Sequence, residues 1–237
     1  MDSDDYLSPT HLAQYADVMN DYDITFQGYR LFDNDTDETI KTCHAVEMDT
    51  TAREMQSILC QVFECGNQFG SAWSKIFRRD IIDKWHIRFK ENISIREDEV
   101  FTFEYCQYVK TVKVLDTTTY NYRMTPNSLM RRKYMDPQEM LNAFDASYQA
   151  ALQIPQTAEF RTMIDTYYRD SLRWAYWMLY HTGKLADASV RMRYYDVLAD
   201  WDEKHPEMKT HLIKCSIRIS DYWQLVKYAV KVMIKKK

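Results

Sequence analysis

Glycine is nearly absent from this chain, with four in 237 residues. A complete doubly wound nucleotide-binding domain uses glycine at its strand-to-helix turns and where backbone meets phosphate, so a whole domain of that kind is not expected. No glycine-rich phosphate loop and no nucleophilic Ser or Cys motif occurs. Excess basic charge is missing too. The net charge is −4, which gives none of the footprint that a nucleic-acid partner requires. No apolar run approaches the length of a membrane span. The N-terminus is acidic and has no basic stretch followed by an apolar one, so no secretory leader is expected. The five cysteines (Cys43, Cys60, Cys65, Cys106 and Cys215) are odd in number and lack metal-site spacing. They read as reduced, mostly buried thiols of a cytoplasmic protein. The six histidines form no ligand pair.

What is present is a chain able to build a core. Hydrophobic residues make up 46% and aromatics 14%, enough for one large domain or a domain with a helical appendage. Ser8-Pro9 starts a helix over about 9–20, with Leu12, Tyr15, Ala16 and Met19 on one face. Period-2 alternation predicts a strand over 23–32, and a polar turn at 33–37 leads to a second strand over about 39–47, making a hairpin. Asp49 and Thr50 precede a helix carrying Met55, Ile58, Leu59 and Val62. Gly66 and Gly70 bracket a loop, and a short helix over 78–84 leads to an extended piece at 85–89. A helix over about 98–108 and strands at 112–115 and 120–123 follow. After Asp136-Pro137 helical periodicity takes over, at 137–152, 156–181, 184–203 and within 207–236, with Gly183 as a C-terminal stop. The fold class is therefore α/β for 1–134, followed by an all-helical extension over 135–237.

Several constellations carry possible chemistry, and each has a plain alternative. Asp2-Ser3-Asp4-Asp5 places carboxylates where a turn would converge them on Mn2+ or Mg2+, cations that take oxygen ligands and share them with phosphates. The same run is also an ordinary acidic lead into a helix. Glu97-Asp98 opens a helix, where a rigid, ionised carboxylate would suit a general base, or where it simply caps the helix. Trp73 with Lys75 offers a face for a pyranose ring, or a half-buried core tryptophan. Arg123, Arg131, Arg132 and Lys133 would suit phosphate oxygens, or a solvated basic loop. The aromatic run Phe160–Tyr180 reads as helix packing. The amphipathic tail 220–237, ending in three lysines, would suit a membrane surface, or a packing helix with lysines at its C-terminal dipole.

In sequence order, Asp2-Ser3-Asp4-Asp5-Tyr6-Leu7, Ser71-Ala72-Trp73-Ser74-Lys75-Ile76-Phe77-Arg78-Arg79-Asp80, Ile87-Arg88-Phe89, Glu97-Asp98-Glu99-Val100-Phe101 and Tyr120-Asn121-Tyr122-Arg123 resemble family 2 glycosyltransferases of the GT-A fold, of the type that builds bacterial surface polysaccharides. The resemblance covers about 1–130. It implies inverting transfer of a sugar from a nucleotide-diphosphate donor to the hydroxyl of a saccharide or lipid-linked saccharide acceptor. Asp2 and Asp4 match the DXD motif that holds the divalent metal and the donor diphosphate. Asp98 matches the catalytic base, with Glu97 beside it placing hydroxyls. Trp73 and Lys75 match the acceptor side, and Arg123 and Arg131 fall where such enzymes close over the diphosphate. The family places glycine before Glu-Asp, whereas this chain has Arg96.

The family also begins with strands and helices that bind the nucleotide base, and none precedes the DXD motif here. The shortfall is roughly 60–90 residues at about 30 per βαβ unit. A truncated form with little activity alone is therefore expected. The competing expectation is a non-enzymatic fragment or partner-binding subunit.

Overall fold

The computed structural model describes residues 3–64, 69–125 and 136–210. Asp2, Arg131 and the amphipathic tail 220–237 lie outside the described residues, as does most of the loop bracketed by Gly66 and Gly70. The chain divides into two compact units, Met1–Asp165 and Thr166–Lys237.

The first unit is a mixed sheet with helices. Its elements are β1 (Tyr6–Leu7), α1 (His11–Ala16), β2 (Ile24–Asp33), β3 (Thr39–Cys43), β4 (Met48–Asp49), α2 (Met55–Glu64), β5 (Lys75–Phe77), α3 (Arg79–Lys84), α4 (Glu97–Cys106), β6 (Val112–Met124), α5 (Pro137–Leu152) and the first turns of α6 (Ala158–His181). The parallel pair β2·β6 forms the centre. On the outer side of β6, β4 pairs antiparallel near its start and β1 near its end. On the outer side of β2, β5 pairs along Ile24–Phe26 and β3 along Tyr29–Phe32. The hairpin expected at 23–47 is present as β2–β3.

The two strands expected at 112–115 and 120–123 are one strand with a bulge. Gln27 pairs with Leu115 and Tyr29 with Tyr120, so five residues of β6 run beside two of β2. An odd number of extra residues reverses which face the following side chains occupy. Val112 and Val114 accordingly join the main core with Ile24 and Phe26, while Tyr120 and Tyr122 join a second cluster with Tyr29 and Leu31. Gly28 faces the bulge. A Cβ there would lie 2.3 Å from the Cys43 carbonyl oxygen and 2.8 Å from Thr118 Cγ2, so no larger residue fits.

The main core is Ile24, Phe26, Val112 and Val114 covered by Ile58, Leu59 and Val62 of α2, Phe101, Phe103 and Tyr105 of α4, and Phe160 and Ile164 of α6. On the other face α1 is shorter than expected, and only part of its expected inward side is buried: Tyr15 is 1% exposed, whereas Leu12 is 66% and Met19, just beyond the helix, 46% exposed. His11 is buried beside Tyr15. Gln27 Nε2 donates to His11 Nδ1 at 3.0 Å, Thr119 Oγ1 lies 2.9 Å from that nitrogen, and Gln27 Oε1 accepts from Thr117 and Thr119, each at 2.8 Å. Once Gln27 is interior its amide needs partners, and that requirement turns the His11 side of α1 inward.

α5 occupies the span expected of it, started by Asp136, whose carboxylate accepts from the Gln138 and Glu139 amides at 2.8 and 3.2 Å, with Pro137 at the first position. It packs on α4: the Ser147 hydroxyl donates to Glu99, and the Arg96 guanidinium sits 4.4 Å from the Phe144 ring centre. The compact division falls at Asp165, after the first turns of α6. The described residues of the second unit, 166–210, are mainly helical. Gly183, at φ 73°, ends α6, a 3-10 turn spans Lys184–Ala186, and Asp187 caps α7 (Ala188–Lys204). Tyr168, Leu172, Leu179, Tyr194, Leu198 and Trp201 are buried. Among the described residues no helix is long and apolar enough to cross a membrane.

Candidate functional site

Asp98 stands in the first turn of α4, where unpaired helix amides favour negative charge. Its neighbour Arg96 starts the helix in the left-handed region, at φ 55° and ψ 20°. That is a conformation glycine adopts far more readily than other residues. Here the arginine side chain offsets the backbone cost by covering Phe144 and approaching Glu99 at 3.7 Å. Glu99 is buried and tied to Ser147. Glu97 and Asp98 remain half-buried. Asp98 Oδ2 accepts from the Ala72 backbone amide at 3.1 Å.

Ala72 belongs to a tight coil that leads into β5. The Ser71 and Ser74 hydroxyls are 3.4 Å apart and buried, and the Ser74 carbonyl accepts from the Gln27 amide at 3.1 Å. Lys75 was expected on the acceptor side, yet it is only 7% exposed. Its Nζ donates to the carbonyls of Phe69, at 3.0 Å, and Ser71. Burial pulls its pKa down to about 7, against the opposing attraction of Cys106, Asp98 and Glu99. Its charge is thus turned into the fold. Trp73 is half-buried and packs on three tyrosines. It stacks on Tyr120 and Tyr122, with centroids 4.6 and 5.1 Å away, and meets the Tyr29 ring edge-on at 4.9 Å.

The acidic opening is held by the end of β6. β1 places Tyr6 opposite Asn121 and Leu7 opposite Tyr120. Asp5 points inward, where its carboxylate accepts the Tyr120 hydroxyl at 2.6 Å and the Arg123 amide at 2.8 Å. Burial raises its pKa, and those two hydrogen bonds oppose the rise. Arg123 was expected on the donor. Its Nε donates to the Asp4 carbonyl at 2.6 Å, its NH1 donates to Asn34 Oδ1 at 3.1 Å, and its guanidinium lies 4.8 Å from the Phe32 ring centre. It braces the acidic segment.

These contacts join two segments that are far apart in sequence. Asp98 is bonded to Ala72, the next residue Trp73 stacks on Tyr120, and Tyr120 is bonded to Asp5. Asp5 and Tyr120 were not singled out from the sequence. The only signal for them was their place in the motifs that carry the resemblance. With Asp5 committed inward, Asp4 is the exposed carboxylate of the described part of this run. Among the described residues no group of three His, Cys, Asp or Glu side chains could by itself enclose a metal ion. Mg2+ is commonly held by one or two carboxylates completed by phosphate oxygens and water, which differs from an all-protein cage.

No protein-family model matches the chain. Two Bacillus subtilis (strain 168) proteins whose names carry the word glycosyltransferase resemble part of it. EpsH is 26% identical over 135 residues, 56% of this chain and 38% of its own length. EpsJ is 25% identical over 136 residues, 56% of this chain and 39% of its own length. The chain thus spans about two-fifths of the length of these curated relatives. Its fold is similar to that in the crystal structure of S. aureus TarS 1-349 in complex with UDP-GlcNAc, with a TM-score of 0.54 and 15% identity over 85% of this chain and 55% of that one.

Proposed function

We propose that this chain carries the acceptor-activating part of an inverting glycosyltransferase that uses a nucleotide-diphosphate sugar, in the manner of family 2 enzymes with a GT-A fold, and that the product is a cell-surface polysaccharide. The observation that carries the reading is the continuous tie from Asp98 through Ala72, Trp73 and Tyr120 to the acidic opening. It holds a candidate base and a candidate diphosphate-binding segment on one rigid framework. The likeness to EpsH, EpsJ and the TarS fold supports it.

In this reading Asp98 accepts the proton of the acceptor hydroxyl as the oxygen attacks the anomeric carbon. The bond to the donor phosphate oxygen breaks on the opposite face, and the nucleoside diphosphate leaves with the electron pair. A base of this kind must be ionised, within hydrogen-bond reach and fixed in place. The helix start and the Ala72 amide provide the fixing. Glu97, in the same turn, places hydroxyl groups. Asp4, with Asp2, would hold Mn2+ or Mg2+, whose charge would neutralise that building on the leaving diphosphate. Arg123 acts indirectly by bracing the Asp4 backbone, with Arg131 nearby in sequence for the phosphates. Trp73 presents its partly exposed rim to the acceptor.

The test is sugar transfer from UDP-GlcNAc, UDP-glucose, UDP-galactose and GDP-mannose with Mn2+, using the longest open reading frame that contains this chain. Asp98→Asn should lower turnover by roughly 10²–10⁴-fold and leave donor binding in place. An Asp98→Asn variant that transfers as fast as the parent would contradict the assignment.

A further inference from the structure

Lys75 sits at the hub of the coil that carries both Ala72 and Trp73. One end of its residue is fixed by the sheet, where β5 pairs Lys75 with Phe26. The other end, Nζ, gathers the Phe69 and Ser71 carbonyls. Both carbonyls come from the residues just before Ala72, so the side chain closes a ring around the turn. The peptide after Ser71 is the one whose N–H reaches Asp98 Oδ2. Nζ also lies 5.4 Å from the centre of the Phe26 ring. The charged or titratable groups acting on it are Asp98, Glu99 and Cys106, all on α4. A lysine is rarely buried without a specific use, because removing its charge from water is costly.

We propose that Lys75 is a positioning residue for Asp98: by tying the Phe69 and Ser71 carbonyls it sets the Ala72 N–H that holds the Asp98 carboxylate, and it makes no contact with substrate itself. Its catalytic meaning rests on the glycosyltransferase reading above, but the geometry does not. Loss of the amine frees two carbonyls, loosens the turn and lets Asp98 swing. Lys75 thereby acts on rate and leaves donor affinity untouched.

The test has two independent readouts on the Lys75→Met chain. In amide hydrogen exchange, the Ala72 N–H should exchange about tenfold faster, while amides in β2 and the middle of α4 keep their protection. Unchanged Ala72 exchange overturns the proposal whether or not the protein is an enzyme. In the transfer assay on the same open reading frame, Lys75→Met should lower kcat about tenfold with donor KM unchanged. In an Asp98→Asn background it should add no further loss, since both substitutions strike one unit. Additive losses overturn the proposal. Absence of transfer by the parent sinks the glycosyltransferase reading alone, and exchange still decides the role of Lys75. If Lys75→Met does not fold, the coupling is read from the other end. In Asp98→Asn, the NMR titration midpoint of the Lys75 amine should fall, because a carboxylate that favours the charged amine is gone, and an unmoved midpoint overturns the proposal.

Discussion

The buried amine of Lys75 gives the protein a specific pH signature. Its folded pKa of about 7 lies below the ordinary 10.5. Between those values the unfolded chain holds a proton that the folded one has released, so raising the pH favours folding over that window, by ~1.4 kcal/mol per unit for one full proton. The penalty is complete below about 7 and fades as the pH climbs. Burial raises the thiol pKa values of Cys60 and Cys106 to about 11 and about 12, and those groups act the other way above their ordinary value of 9.0. Urea unfolding between pH 6 and 8.5 should therefore show a rising midpoint that flattens in Lys75→Met. Gly28 makes a second prediction at this scale. Its missing Cβ would meet the Cys43 carbonyl at 2.3 Å and the Thr117 carbonyl at 3.0 Å. Gly28→Ala should destabilise by about 2–3 kcal/mol, measured by thermal or urea unfolding. From sequence alone Lys75 read as an acceptor-side residue, because it shares with Trp73 the motif that carries the family resemblance. Its burial follows from two carbonyls that only the folded turn brings together.

At the scale of elements, the start of α4 is the place to probe. Arg96 occupies a left-handed position that costs a non-glycine residue on the order of 1 kcal/mol, and its side chain offsets this by covering Phe144 and approaching Glu99. Arg96→Ala keeps the backbone cost and loses the contacts, whereas Arg96→Gly loses both. The melting temperatures should rank parent, then Arg96→Gly, then Arg96→Ala, with the two variants about 1 kcal/mol apart. An alanine variant as stable as the glycine one would mean that the backbone carries no strain. The helices were the legible elements. α5 was read to its end residues because Asp136-Pro137 is a strong start and the 3.6 period is unbroken. β6 was read as two strands because its bulge breaks the alternation at 116–119, and only the pairing with β2 shows that one strand continues through it. α1 misled in part for a different reason: of its expected apolar face Tyr15 turns inward, and the partner demands of Gln27 bring His11 in beside it while Leu12 stays exposed.

Across the whole molecule, the first compact unit holds every described residue of the candidate site, and it takes in α5 and the first turns of α6. The motifs were legible in order, but their meeting was not. Nothing in separations of 47 and 115 residues announces that Trp73 will stack on Tyr120, or that Tyr120 will reach back to Asp5. The odd bulge in β6 makes that meeting possible by turning Tyr120 and Tyr122 toward Trp73. Because the chain spans about two-fifths of EpsH and EpsJ, the central claim is best tested in the open reading frame that contains it. The decisive measurement is Mn2+-supported sugar transfer from the nucleotide-sugar panel by that protein and by its Asp98→Asn variant. The account predicts transfer by the parent, a loss of roughly 10²–10⁴-fold in the variant and equal donor binding by both. No transfer from any donor, or equal turnover by the two proteins, would contradict it.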